Sequence, residues 1–219
     1  MIQGLSLANI VKFGAVVVAA TAILSSSAAA QGGFVGVEGV LLQSQVKLDD
    51  IYPSVLDDPK DTSIELGLKA GYDFDVFRVW GGYSYRTKGS EDYNMKDGAD
   101  FTNGEFNWQT HNILVGADYT PSLTDSFKLT LGAYTGLSIV KGEFSGQAEY
   151  TIDGVKYGID NDSTTGTGAL FGLKLGGIYE VVENNEIEFG IKGDYQTTGI
   201  EDYDNILNYG VYVGYNYKF

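Results

Sequence analysis

The chain closes on Asn208–Phe219, "NYGVYVGYNYKF", and the reading of this stretch decides the fold. From Tyr209 every odd position is bulky and apolar or aromatic: Tyr209, Val211, Val213, Tyr215, Tyr217 and Phe219. The even positions are small or polar, Gly210, Gly214, Asn216 and Lys218, with Tyr212 the exception. A repeat of two marks a β-strand whose two faces meet different surroundings.

The same alternation recurs upstream. In Ile64–Phe74 the even residues Ile64, Leu66, Leu68, Ala70, Tyr72 and Phe74 oppose Glu65, Gly67, Lys69, Gly71 and Asp73; Phe127–Val140 and Ile187–Thr197 repeat the theme. Phe34–Gln43, Val76–Arg86, Phe106–Tyr119 and Gly168–Val181 are compatible, which makes eight strands with the last. Short links near 73–75, 120–126 and 182–186 alternate with longer ones near 44–63, 87–105, 143–163 and 197–206. An even number of strands joined this way describes an antiparallel up-and-down sheet. Pro53 and Pro59 fall in a long link and Pro121 in a short one, where no ladder donor is lost.

The 219 residues suit one all-β domain. Residues 1–30 read as a cleaved secretory signal: Lys12, an apolar run Phe13–Leu24, and the small residues Ala28-Ala29-Ala30. Residues 31–219 then form the mature domain. The formal charge of −15 argues against nucleic acid as a partner, and the absence of cysteine excludes disulfides and thiol chemistry. The four longer links carry most of the acid, and weak clusters at 49–61 and 201–205 could recruit divalent cations, although a solvated acidic surface is the simpler reading.

A soluble ligand-carrying barrel also alternates, but with its apolar face inward. Here the apolar set is bulky and the opposite set is rich in glycine, such as Gly67, Gly71, Gly132, Gly136, Gly172 and Gly176. A narrow eight-stranded interior accepts small residues and some long charged ones, not dozens of bulky groups. Aromatic residues gather at strand ends, among them Phe34, Tyr72, Phe77, Tyr119, Phe127, Tyr179 and Tyr217 at one end and Tyr83, Tyr85, Trp108, Tyr195 and Tyr209 at the other. Two such girdles imply a hydrocarbon band between them, and in lipid an open sheet edge is prohibitive, so the strands must close.

At this point the chain resembles the small outer-membrane β-barrel superfamily, the group of OmpA-type transmembrane domains, OmpX-like and opacity-type surface proteins. The terminal Tyr215-x-Tyr217-x-Phe219 is similar to the aromatic signal by which the barrel-assembly machinery recognises such clients. The resemblance implies an all-β, eight-stranded transmembrane β-barrel in the outer membrane of a Gram-negative bacterium, a monomer among lipid and lipopolysaccharide. No peptidoglycan-binding domain follows, so tethering to the cell wall is not expected.

The inward face is expected to carry Glu38, Glu65, Lys69, Arg78, Arg86, Asp118, Lys128, Lys174, Glu188, Lys192, Asp194 and Lys218. Charges in a narrow lumen must pair or become costly, so they form either a plugging ion-pair network or the lining of a narrow polar path. His111 is the one candidate catalytic base, and parity puts it on the lipid side with Ile113, Val115 and Ala117, away from Thr110 and Asn112. Phosphate loops, paired metal-ligand motifs and dinucleotide fingerprints are absent, so neither a cofactor nor catalysis is expected. The expected role is a non-enzymatic surface protein whose four acidic loops meet a host or cell-surface partner; the alternative is a narrow porin-type channel.

Overall fold

The computed structural model describes residues 32–48, 60–97, 100–152, 155–200 and 203–219. Eight strands follow in order: β1 (Gly32–Leu48), β2 (Lys60–Asp73), β3 (Phe77–Asp97), β4 (Asp100–Tyr119), β5 (Phe127–Ile152), β6 (Val155–Val182), β7 (Asn185–Ile200) and β8 (Tyr203–Lys218). Each pairs antiparallel with the next, and β8 pairs with β1 to close a barrel. The expected leader lies outside the described residues.

Following backbone partners around the ring leads from Gly36 through Lys69, Gly82, Leu114, Gly136, Leu170, Gln196 and Ile206 back to β1 at Val46. The path returns ten residues from where it began. That stagger tilts the strands by about 40° and leaves a bore that side chains can fill.

Outward residues in the middle of every strand are apolar and open: Leu68, Leu131, Leu173 and Val213 are each more than half exposed. Their inward neighbours are buried, many of them charged, including Lys69, Lys174 and Glu188. Large rings close over glycines of the adjoining strand. A Cβ on Gly116 would run into the Trp80 ring, and one on Gly172 into that of Tyr134, so only glycine lets these two aromatics lie flat inside the wall.

Two expectations need correction. The links at 87–105, 143–163 and 197–206 are not long loops. Strand pairing runs out to Asp97↔Asp100, Ile152↔Val155 and Ile200↔Tyr203. β5 and β6 have 26 and 28 residues, whereas a tilted strand crosses hydrocarbon in about 10. Among the described residues β2 pairs with β3 only as far as Glu65↔Arg86, and β6 with β7 only as far as Leu170↔Gln196. Strands β3 to β6 therefore continue beyond the ring as a four-stranded wing. Of the first long link, 44–48 and 60–63 are also strand, paired as Ser44↔Asp61 and Gln45↔Lys60, while its acidic run at 49–59 lies outside the described residues, as do 98–99, 153–154 and 201–202 of the others.

The second correction concerns sidedness. Phe34 and Trp108, expected in the girdles, turn inward and are buried. Toward the long-hairpin end the polarity of the wall reverses. Val46, Phe106, Trp108, Val140 and Ile206 form a buried apolar cluster inside the barrel, with Ile200 packed against it. The outward positions at that level carry Gln45, Lys47, Thr62, Gln109 and Lys141. Smaller inward clusters, Val40–Leu42–Tyr212 and Leu114–Tyr134–Leu170, lie deeper. Above the hydrocarbon band water is the outer solvent, and the ordinary rule of apolar inside and polar outside returns.

Leu173→Arg, in the middle of the outward apolar band, is expected to cost about 2–4 kcal/mol in a urea titration in phospholipid vesicles. Thr165→Arg, exposed on the same strand beyond the band, should change stability by no more than about 0.5 kcal/mol.

Candidate functional site: the filled lumen

Inward-turned side chains from six strands meet in one alternating series of charges. Asp118 pairs with Lys174 at 2.8 Å and Lys174 with Glu188 at 2.8 Å. Glu188 pairs with Lys69 at 2.6 Å, which also reaches Glu38 at 3.5 Å. Lys192 bridges Glu38 and Glu65 at 2.8 and 2.7 Å. Arg86 closes the series between Glu65 and Asp194 at 2.5 and 2.6 Å. Nine of the twelve inward residues expected from sequence thus stand in a single chain, whose members other than Glu38 are at least nine-tenths buried.

Five carboxylates face four cations here, and neutral donors supply the difference. Trp80 Nε1 donates to Asp118, Tyr212 Oη and Asn216 Nδ2 to Glu188, and Tyr134 Oη and Asn208 Nδ2 to Asp194. The Lys174 ammonium lies 5.2 Å from the centre of the Trp80 ring and that of Lys192 5.3 Å from Tyr134, so the rings also face the cations. With each charge paired and hydrogen-bonded, the series meets the condition under which buried ions are tolerated.

The other three expected residues lie apart, toward the short-turn end. Arg78 binds Asp73 at 2.6 Å and Glu186 at 2.8 Å, Lys218 reaches Glu186 at 3.0 Å, and Lys128 sits at the rim, 3.4 Å from Asp75. Asp73 and Glu186 were not singled out from sequence, although each shares parity with a residue that was, Lys69 and Glu188 respectively. Tyr134 and Tyr212 also escaped, because a bulky aromatic on an inward face contradicts a simple size rule. Among the described residues Arg78 Nη1, Glu186 Oε2 and Asn216 Oδ1 have no hydrogen-bond partner.

Beyond the charges comes a neutral polar layer. Ser44 donates to Asn208 at 2.6 Å, Asn112 donates to Ser84 at 3.0 Å, and Ser138 donates to Asn112 at 2.6 Å. The apolar cluster around Trp108 then covers it. From the short turns outward the bore holds ion pairs, amides and hydroxyls, and finally hydrocarbon.

Outside the barrel His111 packs between two tyrosines. Its Nδ1 lies 2.6 Å from Tyr83 Oη and its ring centre 4.9 Å from that of Tyr85. Just beyond them Glu143 is shared by Lys88, at 2.9 Å, and by Lys141. Hydrogen bonds and charge from these two lysines hold the Glu143 carboxyl at about 2, below its ordinary 4.5, and Glu143 in turn raises Lys88. At the opposite end Tyr215, Tyr217 and Phe219 are exposed outward, and the Phe219 N–H donates to the Gly33 carbonyl at 2.9 Å.

The family profile for the outer membrane protein beta-barrel domain matches residues 16–219. Among solved structures the chain is similar to Neisserial surface protein A, at 19% identity over 87% of this chain and 100% of that one, TM-score 0.52. It is also similar to a major outer membrane protein from Thermus thermophilus, at 9% identity over 87% and 100%, TM-score 0.52. The attachment invasion locus protein Ail of Yersinia pestis aligns at 16% identity over 85% and 99%, TM-score 0.49. For the first two, at such identities, the likeness speaks for the fold alone. No curated protein matches this chain.

Arg86→Met would leave Asp194 without its cation and Glu65 with Lys192 only, an expected loss of about 3–5 kcal/mol by urea titration followed by tryptophan fluorescence. The depressed Glu143 carboxyl predicts that its contact with Lys88 and Lys141 is complete above pH 4.5 and is lost as pH falls toward 2. Carboxyl NMR of the folded protein checks this; titration of Glu143 near 4.5 would show the contact absent.

Proposed function

Because this chain belongs to the family of outer membrane protein β-barrel domains and resides in the outer membrane of a Gram-negative bacterium, we propose that it is a non-enzymatic surface protein. In this reading the barrel is a filled pedestal that holds an acidic, four-stranded wing clear of the membrane. The short turns face the periplasm and the long hairpins face outward, the usual arrangement of such barrels. The wing meets a host, matrix or neighbouring-cell surface. The barrel stands as a monomer, and Tyr215, Tyr217 and Phe219 serve the assembly machinery as its recognition signal.

One observation carries this reading: the bore is occupied along its length while β3 to β6 run on past it. A conducting path would need mobile water between fixed charges. Here the charges hold one another, and hydrocarbon side chains cover the outer end. Catalysis finds no support either, since among the described residues His111 engages tyrosines on the lipid side, not the serine or carboxylate that a hydrolytic site requires.

Two measurements test the proposal. Purified protein in planar bilayers is expected to give no stable conductance steps; reproducible steps would favour the channel. Replacing 89–107 and 143–163 by tight turns should leave a folded, heat-modifiable barrel at the cell surface and abolish adherence to cultured cells or matrix. Undiminished adherence at equal surface density would overturn the role given to the wing.

A further inference from the structure

The alternating series of the lumen has a carboxylate at each end, and the two ends are not alike. At Asp194 both oxygens are fully served: Arg86 donates to each, Asn208 Nδ2 donates to Oδ1 and Tyr134 Oη to Oδ2. At Asp118 the Lys174 ammonium and Trp80 Nε1 both approach Oδ2, and among the described residues Oδ1 has no hydrogen-bond partner. Lys174 is itself shared with Glu188, so it neutralises Asp118 only in part. The carboxylate in excess over the four cations of the series is thereby left at the Asp118 end.

Two strands surround that oxygen. Asp118 on β4 pairs across the ladder with Gly132 on β5, and its Oδ1 lies over that glycine, where a Cβ would come within 2.2 Å of it. Thr130 stands two residues before Gly132 and turns to the same inward side, which places it diagonal to Asp118 at a backbone spacing of about 7 Å. Its hydroxyl oxygen likewise has no hydrogen-bond partner among the described residues. Neither side chain meets solvent, Asp118 being 3% exposed and Thr130 0%. The cations at this level of the bore are engaged elsewhere. Lys128, the next inward residue of β5, is held at the rim by the carbonyl and carboxylate of Asp75, while Arg78 and Lys218 share Glu186. A buried charged oxygen with no partner is costly, so this one calls for a ligand that brings positive charge.

We propose that Asp118 Oδ1 and Thr130 Oγ1 hold one monovalent metal cation, of the size of sodium or potassium, inside the lumen. A carboxylate oxygen and a hydroxyl oxygen suit a hard cation, whose shell water completes. The excess to be offset is a single charge. A divalent ion asks for more: calcium takes about six to eight oxygens, and among the described residues no three acidic or histidine side chains come together to hold one. Water alone would satisfy the two oxygens and leave the excess charge in place. With the ion bound, the series runs from cation to Asp118 to Lys174 and onward with its charges balanced. The site adds to the filling of the bore and does not depend on which way the barrel faces.

Two measurements on the mature protein in neutral detergent test this, with folding of each variant established first by heat-modifiable migration. In urea titrations at constant ionic strength, sodium or potassium chloride at about ten times the dissociation constant is expected to lower the unfolding constant about tenfold relative to tetramethylammonium chloride, whose cation is too large for the site. Thr130→Val, which keeps the shape of the side chain, and Asp118→Asn, which removes the excess charge, should each erase that difference. Thr130→Ser should keep it, as should Asp125→Asn at an exposed turn, which controls for general screening. Crystals of the unaltered protein soaked in thallium(I) are expected to show an anomalous peak between Asp118 and Thr130, a result that needs no variant to fold. Equal stability in the three salts, the lack of that peak, or an undiminished difference in Thr130→Val would overturn the site. A larger effect of calcium chloride at equal concentration would overturn the monovalent assignment.

Discussion

Every backbone N–H and C=O in hydrocarbon must find its partner within the protein, because lipid offers none. The constraint forbids an open edge, so β8 returns to β1, and eight strands with a ten-residue stagger close on a bore too narrow for bulk water. The rest of the structure follows from that bore. Side chains turned into it cannot be solvated freely, so each charge needs an opposite charge or a directed donor. The nine-member series from Asp118 to Asp194 meets the demand with two lysines beside Glu188 and with tyrosine, tryptophan and asparagine beside the surplus carboxylates.

The same strands obey two opposite rules along their length. Where the surroundings are alkyl chains, leucine, valine and isoleucine point out and charge points in. Where the surroundings are water, Phe106, Trp108, Val140 and Ile206 point in and polar residues point out. The reversal requires no change of backbone architecture, only a change in which face is apolar. It lets the hairpins continue as paired sheet above the membrane, supported by a small core of the kind found in soluble proteins. Register shifts between Lys47 and Leu48, Arg86 and Gly89, Phe144 and Gln147, and Thr197 and Ile200 fall in this outer half, where the wall no longer has to present an unbroken apolar face.

The alternation of Ile64–Phe74, Phe127–Val140 and Tyr209–Phe219 made the strands, their number and their closure legible, because lipid outside and a narrow bore inside impose a strict repeat of two. The outer halves were not legible, for a physical reason. Past Arg86 a bulge shifts the parity, so Gly89 is buried and Lys88 exposed, and beyond the band the meaning of the apolar face inverts. Residues 87–105 and 143–163 carry acid and glycine that resemble loop composition, and the few residues that make them sheet, such as Phe106 and Phe144, lie at their margins. Within the lumen, parity identified which charges share the bore but not which partners meet, since Lys192 and Glu65 stand 127 positions apart and come together only through the closure of the ring. Phe34 lies near a strand end, as a girdle residue would, but its even parity on β1 turns it beneath Arg78.

The reversal of wall polarity is the claim on which the covered lumen and the wing above it depend. Single-cysteine labelling tests it directly in a chain that has no native cysteine. Cysteines at 137, 139, 141, 106, 108 and 140 are read in vesicles with one lipid-phase and one aqueous reagent. Positions 137 and 139 will take only the lipid-phase label, 141 only the aqueous one, and 106, 108 and 140 neither. Aqueous labelling at 106, 108 and 140 at the rate seen at 141 would show an open, hydrated bore and contradict the structure described here.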